Sequence, residues 1–201
     1  MFLSHIRLTI ILILCIINMI DYFEYWRLKY CPKMEEKMAK LSRKEARDIL
    51  FGLLFETEFK AGENPAEIYE LACADRDIPA DSYIKNTFFG VITRAQLIDA
   101  VIGRYSKGWK ADRLSKVSRT IIRVAIYEML FIDDIHPNIS ISQAVEFAVK
   151  YGEDKSKQFV NGVLSGLFKD IDGKDVKAYI EELASTLTKE SEKPEENNEN
   201  A

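Results

Sequence analysis

Four cations open the first regular stretch of this chain: Lys40, Arg43, Lys44 and Arg47, spaced by three, one and three residues. On a helix that spacing gathers them on one broad face. Cations sit badly against the positive end of a helix dipole, at a cost of roughly 0.3–1 kcal/mol each. A locally unfavourable placement of this kind suits an anionic partner, and the phosphates of a nucleic acid are the natural one. Glu45 and Asp48 interleave and leave the cluster at +2. Two readings stand: a phosphate-holding face, or a solvated helix face.

A second group lies at Lys155-Ser-Lys-Gln158-Phe159-Val-Asn161-Gly162. An aromatic ring beside lysines and amides can stack on an unpaired base while the lysines neutralise phosphate. Phe159 would be the stacking ring, with Lys155, Gln158 and Asn161 around it and Asn161 able to read a base edge. The alternative is that Phe159 is peripheral core and Gly162 only permits close helix contact. A third run, Arg104 to Arg123, holds seven basic residues against the single acid Asp112. It reads either as another such surface or as solvated helix ends and loop.

Nothing in the chain points to catalysis. There is no phosphate-cradling Gly-x-x-x-x-Gly-Lys, no Gly-x-Gly-x-x-Gly and no nucleophile elbow. Glu56 with Glu58, and Asp133 with Asp134, read as a solvated helix face and a turn. Cys15, Cys31 and Cys73 lack C-x-x-C spacing, and His5 and His136 stand in unrelated contexts. No catalytic residue, metal site or cofactor is therefore expected, and the cysteines fit a reducing compartment.

The formal net charge of −4 argues against a nucleic-acid binder only as an average. Residues 104–123 carry +6, whereas residues 181–201 carry −5. Local fields, not totals, steer an anionic partner.

The elements that must position these groups are helical. Ser42-Arg-Lys-Glu45 is a capping box, and Ala46, Ile49, Leu50, Leu53 and Leu54 follow at helical spacing. That helix is predicted to reach Phe59, with Gly62 after it. Pro65 suits the first position of a second helix, and Asp77-Ile-Pro79 breaks it. A long third helix is predicted from Asp81 to Tyr105, then a short one from Ala111 to Lys116. Ser118 is expected to cap a helix that is apolar nearly all round, the mark of a bundle's buried centre. Ser140-Ile-Ser-Gln143 reads as a second capping box opening a helix to Tyr151, with Gly152 as its C-cap. Val160, Val163, Leu164, Leu167, Phe168 and Ile171 make the stripe of a last core helix. Asp175 to Leu187 suits one more. The fold class expected is all-α, a compact bundle of about seven helices.

Three parts are expected. Residues 1–38 form an apolar extension, with Ile6–Ile20 as its core. It reads as a membrane anchor, a cleaved signal, or an upstream translation absent from a working protein that starts at Met34 or Met38. Residues 39–172 form the helical domain. Residues 173–201 hold a further helix and an acidic, Asn-rich tail expected to be disordered.

Four stretches carry a family resemblance. Leu114-Ser-Lys-Val-Ser-Arg-Thr-Ile-Ile-Arg-Val-Ala-Ile-Tyr-Glu-Met-Leu130 is similar to the central helix of the NusB family. So are Ile141-Ser-Gln-Ala-Val-Glu-Phe-Ala-Val-Lys-Tyr-Gly152 and Lys157-Gln-Phe-Val-Asn-Gly-Val-Leu164, and Ser42-Arg-Lys-Glu-Ala-Arg-Asp48 resembles its basic first helix. The resemblance spans about Leu41 to Ile171. It implies two small helical subdomains, transcription antitermination, and binding of boxA-type RNA of ribosomal RNA leaders in the cytoplasm. It implies a complex with the ribosomal protein NusE inside an RNA polymerase elongation complex, and homodimers in some relatives. It matches Arg43, Lys44 and Arg47 to the RNA-contacting helix and Phe159 to an RNA-stacking ring. It puts the protein partner near Ser118 and Arg119, although some relatives carry an acid where this chain has Ser118. The rival readings are a membrane-tethered helical scaffold and a stand-alone RNA-binding module like that of RNA cytosine methyltransferases.

Overall fold

The structure, a computed structural model, describes residues 41–106 and 114–191. Among the described residues there are eight helices and no strand: α1 (Arg43–Thr57), α2 (Pro65–Asp75), α3 (Ser82–Thr93), α4 (Ala95–Tyr105), α5 (Lys116–Phe131), α6 (Pro137–Tyr151), α7 (Ser156–Ile171) and α8 (Val176–Ser191). The apolar extension, Lys40, the Ala111–Arg113 part of the expected short helix, and the tail from residue 192 lie outside the described residues.

The capping box forms at α1: Ser42 Oγ accepts from the Glu45 amide at 3.2 Å, and the Ser42 amide donates to Glu45 Oε2 at 2.8 Å. Two of the helix's orphan amides are thereby satisfied. Asn64 caps α2 with Pro65 in its first turn, and Asp81 caps α3 by accepting from the Ile84 amide at 2.9 Å.

The long third helix expected over Asp81–Tyr105 is two helices. Arg94, at φ −107° and ψ 17°, ends α3 and begins α4 without a side-chain cap. The stretch carries no proline, so its local chemistry does not announce the break; packing does. α3 lies on α1 and α5, whereas α4 turns Ile98, Val101 and Ile102 towards α5 and α7. One straight rod cannot present an apolar stripe to both pairs. The Arg94 guanidinium settles over the Phe131 ring, 4.7 Å from its centroid. Near the end of α3, Gly90 lies flush against α5: a Cβ there would stand 2.1 Å from the Tyr127 hydroxyl.

α5 is the centre of the bundle and packs on α1, α3, α4, α6 and α7. Its cap is Ser115, not Ser118. Ser115 Oγ accepts from the Ser118 amide at 3.2 Å, and Ser118 is inside the helix. α6 likewise starts earlier than Ser140: His136 caps it, with Pro137 in its first turn. Pro137 supplies the preset φ of a first turn, and Ser140 is left fully buried one turn in. In α7 the buried stripe is Val160, Val163, Leu164, Leu167 and Ile171, with Phe168 at its margin.

α8 docks on α4 through buried Tyr179 and Leu183. The Tyr179 hydroxyl lies 2.9 Å from that of Tyr105, which donates to Asp170 Oδ2 on α7 at 2.6 Å. Burial, then that carboxylate, holds the Tyr105 phenol well above its usual range. Buried side chains from all eight helices join one continuous core.

Candidate nucleic-acid interface

The cations of α1 divide by face. Arg43 and Lys44 are exposed, but Arg47 is 6% exposed. Arg47 stands three residues before Leu50 and seven before Leu54, both buried, so helical periodicity turns it inward. Its Nε donates to Glu128 Oε1 at 2.8 Å and its Nη2 to Oε2 at 3.3 Å. Glu128, 1% exposed on α5, also accepts from the Tyr83 hydroxyl of α3 and from Ser140 Oγ of α6 at 2.6 Å. Four donors thus satisfy both oxygens of a buried carboxylate, the condition under which a buried ion pair is tolerated. Burial beside that carboxylate pushes the Tyr83 phenol well above its ordinary range. Arg47 is therefore a structural arginine, and the expectation that it holds phosphate is corrected. Ser140, expected as a helix cap, belongs to the same network.

A cavity of about 20 Å³ adjoins this network, lined by Arg47, Glu128, Ser140, Gln143 and Phe147 among others. The buried Gln143 Oε1 has no protein hydrogen-bond partner. The space suits one water.

Outside this network lies a charged surface. Arg43 places its guanidinium 4.2 Å from the centroid of the Tyr83 ring. Lys44 pairs with Glu146 of α6, and Lys150 Nζ reaches Asp48 Oδ1 at 2.8 Å. Burial would raise the Asp48 carboxyl, but hydrogen bonds from Lys150 and from the Tyr151 hydroxyl at 2.7 Å leave it below its ordinary value. Tyr151, at the end of α6, stacks on Phe51 of α1 with centroids 4.9 Å apart. The second group begins four residues further on. Lys155 at the N-cap of α7, and Lys157, Gln158 and Asn161 on its first turns, are exposed. Phe159 is partly buried against the core margin. Lys155 and Lys157 have no ion-pair partner among the described residues. Lys44 meets α6 at Glu146, Arg43 lies over Tyr83 of α3, and the aromatic–amide group of α7 follows α6 in sequence.

Of the basic run from Arg104 to Arg123, Lys107, Lys110 and Arg113 lie outside the described residues, and the described cations Arg104, Lys116, Arg119 and Arg123 do not form one face. Arg123 forks onto Asp99 at 2.8 and 2.7 Å and also reaches Glu58, which Arg119 approaches at 3.5 Å. Lys116 Nζ lies 3.8 Å from the Phe59 ring centroid, and Arg104 lies over Tyr179. Glu58 corrects the solvated-face reading: its side chain is only 10% exposed and is paired with Arg119 and Arg123. At the expected protein-partner position, Ser118 is 4% exposed and donates to Ser156 Oγ at 3.3 Å. Its side chain offers no surface to a partner, whereas Arg119 is half-buried at the edge of the same turn.

No helix among the described residues is long and apolar enough to cross a membrane. The NusB family model matches residues 41–169, from the approach to α1 to the last turn of α7. Over 132 residues the chain is 37% identical to the transcription antitermination protein NusB of Bacillus licheniformis, covering 66% of this chain and 100% of that protein. Among solved structures, T. maritima NusB superposes with a TM-score of 0.58 at 34% identity, over 65% of this chain and 92% of that one. A crystal structure of antitermination factors NusB and NusE in complex with dsRNA gives 0.57 at 30% identity, over 64% of this chain and 96% of that one. With the model matching most of the helical domain and the bundle superposing on solved NusB structures, the chain belongs to the NusB family.

Proposed function

We propose that this protein is an RNA-binding transcription antitermination factor that holds boxA-type leader RNA together with the ribosomal protein NusE. The observation that carries the reading is the relative solved with NusE and dsRNA, which matches this chain over 96% of its own length. The mechanism is capture without chemistry. Arg43, Lys44, Lys155 and Lys157 neutralise phosphates, and the Phe159 ring stacks on an unpaired base. Gln158 and Asn161 offer hydrogen bonds to base edges. Lys40 extends the α1 cluster in sequence. The Glu146 carboxylate competes with phosphate for Lys44, so that contact is an exchange of anions rather than a new pairing.

NusE would widen the RNA surface, and the assembly would act on an RNA polymerase elongation complex in the cytoplasm. The free protein is proposed to be capable of homodimerising. Titration of labelled leader RNA with the full chain, with and without NusE, tests the reading. Binding should tighten when NusE is present and should weaken steeply between about 50 and 200 mM salt. Affinity flat across that range, or unchanged by NusE, would overturn it.

A further inference from the structure

Arg43 is the exposed α1 cation whose anchor is an aromatic ring rather than a carboxylate. Its guanidinium lies over Tyr83 at 4.2 Å, well inside the range for cation–π attraction. Tyr83 itself has little freedom. It is buried, and its hydroxyl donates to Glu128. Glu128 is in turn gripped by Arg47 from α1 and by Ser140 from α6. The ring is thus fixed by three other helices while one face carries the arginine.

A long cation on a solvent-facing first turn would otherwise sample many rotamers, and ordering it on contact with an anion opposes binding. A ring that holds the planar guanidinium beforehand removes part of that cost. Stacking leaves the guanidinium's in-plane N–H donors free for phosphate, which a carboxylate partner would occupy.

We propose that Tyr83 is a positioning residue for RNA binding: its ring presents the Arg43 guanidinium, and the Glu128 network behind it holds the ring in place. The inference rests on the RNA reading of α1 given above. It separates two parts of one side chain, since the ring serves Arg43 and the hydroxyl serves the buried network.

The test is a set of RNA titrations, with NusE present, on the full chain and on Tyr83→Phe, Tyr83→Leu, Arg43→Ala and the Arg43→Ala/Tyr83→Leu double variant. Thermal melts run alongside, together with NMR of the Arg43 Nε–Hε resonance. Tyr83→Phe keeps the ring and loses the bond to Glu128. It should melt lower yet bind RNA within twofold of wild type. Tyr83→Leu should lose about two- to fivefold in affinity, the size of an exposed cation–π contact, and should lose nothing further in the Arg43→Ala background. The Arg43 resonance should be displaced by the ring current in wild type and Tyr83→Phe, and should return to the free-arginine position in Tyr83→Leu. Equal loss from Tyr83→Leu with and without Arg43, or equal loss from the Phe and Leu variants, would overturn the proposal. So would an undisplaced Arg43 resonance in the wild type, which needs neither RNA nor a variant that folds. Wild type that fails to bind leader RNA, with the resonance displaced as expected, would instead count against the RNA reading and leave the stacking established.

Discussion

Arg43 and Arg47 stand one turn apart on α1 and meet opposite surroundings. Arg47 points into the bundle, where Glu128 takes both its Nε and its Nη2. Arg43 lies in solvent over the edge of the same network, against the ring of Tyr83. A guanidinium out of water must be fully paired, and its partner's remaining lone pairs must be filled as well. The inner arginine is therefore spent on joining α1 to α3, α5 and α6. The outer one keeps its donors for a partner. Residue type and spacing alone make these two arginines equivalent; the face each occupies makes one structural and the other available.

The sharpest way to break this comparison is at the inner site. Arg47→Ala leaves Glu128 buried without its counter-charge, and stability should fall by about 3–5 kcal/mol, read in a urea melt. RNA affinity of the fraction still folded should change little. An Arg47→Ala protein that melts normally but loses RNA would reverse the assignment of the two arginines.

Phe159→Ala probes the α7 half of the outer surface. Because its ring is only partly buried, truncation should cost less than the 3–5 kcal/mol typical of a fully buried Phe. RNA affinity should fall by about 1–3 kcal/mol if the ring stacks on a base. A large drop in melting temperature with unchanged binding would return Phe159 to the core.

At the outer arginine, Arg43→Ala should leave the melt unaltered and reduce the slope of log affinity against log salt by about 1, the signature of one lost phosphate contact. A parallel shift with the same slope would mean that Arg43 does not meet phosphate.

The smallest effect concerns Asp48. Its folded carboxyl titrates below its ordinary value because Lys150 and Tyr151 bind the ionised form against the pull of burial. The stability it contributes is present above the ordinary carboxylate range and is lost as pH falls through the lowered folded value. Asp48→Asn should lower stability slightly at neutral pH and converge with wild type as pH falls through the carboxylate range, which flattens the acid limb of a stability–pH curve. An acid limb identical to wild type would show that the exposed ion pair contributes nothing.

Much of this arrangement is legible in the sequence where the signal is local. The Ser42–Glu45 box fixes the start of α1, and the Val160–Ile171 stripe fixes the buried face of α7, because each depends on neighbours within two or three turns. What escapes is set by distant packing. Arg94 breaks a helical pattern only because α3 and α4 serve different neighbours. Ser118 and Ser140 look like caps, but Ser115 and the His136-Pro137 pair cap earlier, which leaves both serines to be consumed inside. For Arg47 a usable signal did exist. Its register with Leu50 and Leu54, together with a lone glutamate on an apolar central helix, marks a buried ion pair in advance.

The most direct test of the central claim is a titration of fluorescent leader RNA with wild type and with Arg43→Ala/Lys44→Ala, each with and without NusE, at about 100 mM salt. Exposed phosphate contacts on α1 predict tight binding by wild type with NusE, and clearly weaker binding by the double variant at an unchanged melting temperature. Equal binding by the two proteins, or no binding by wild type even with NusE present, would contradict the account.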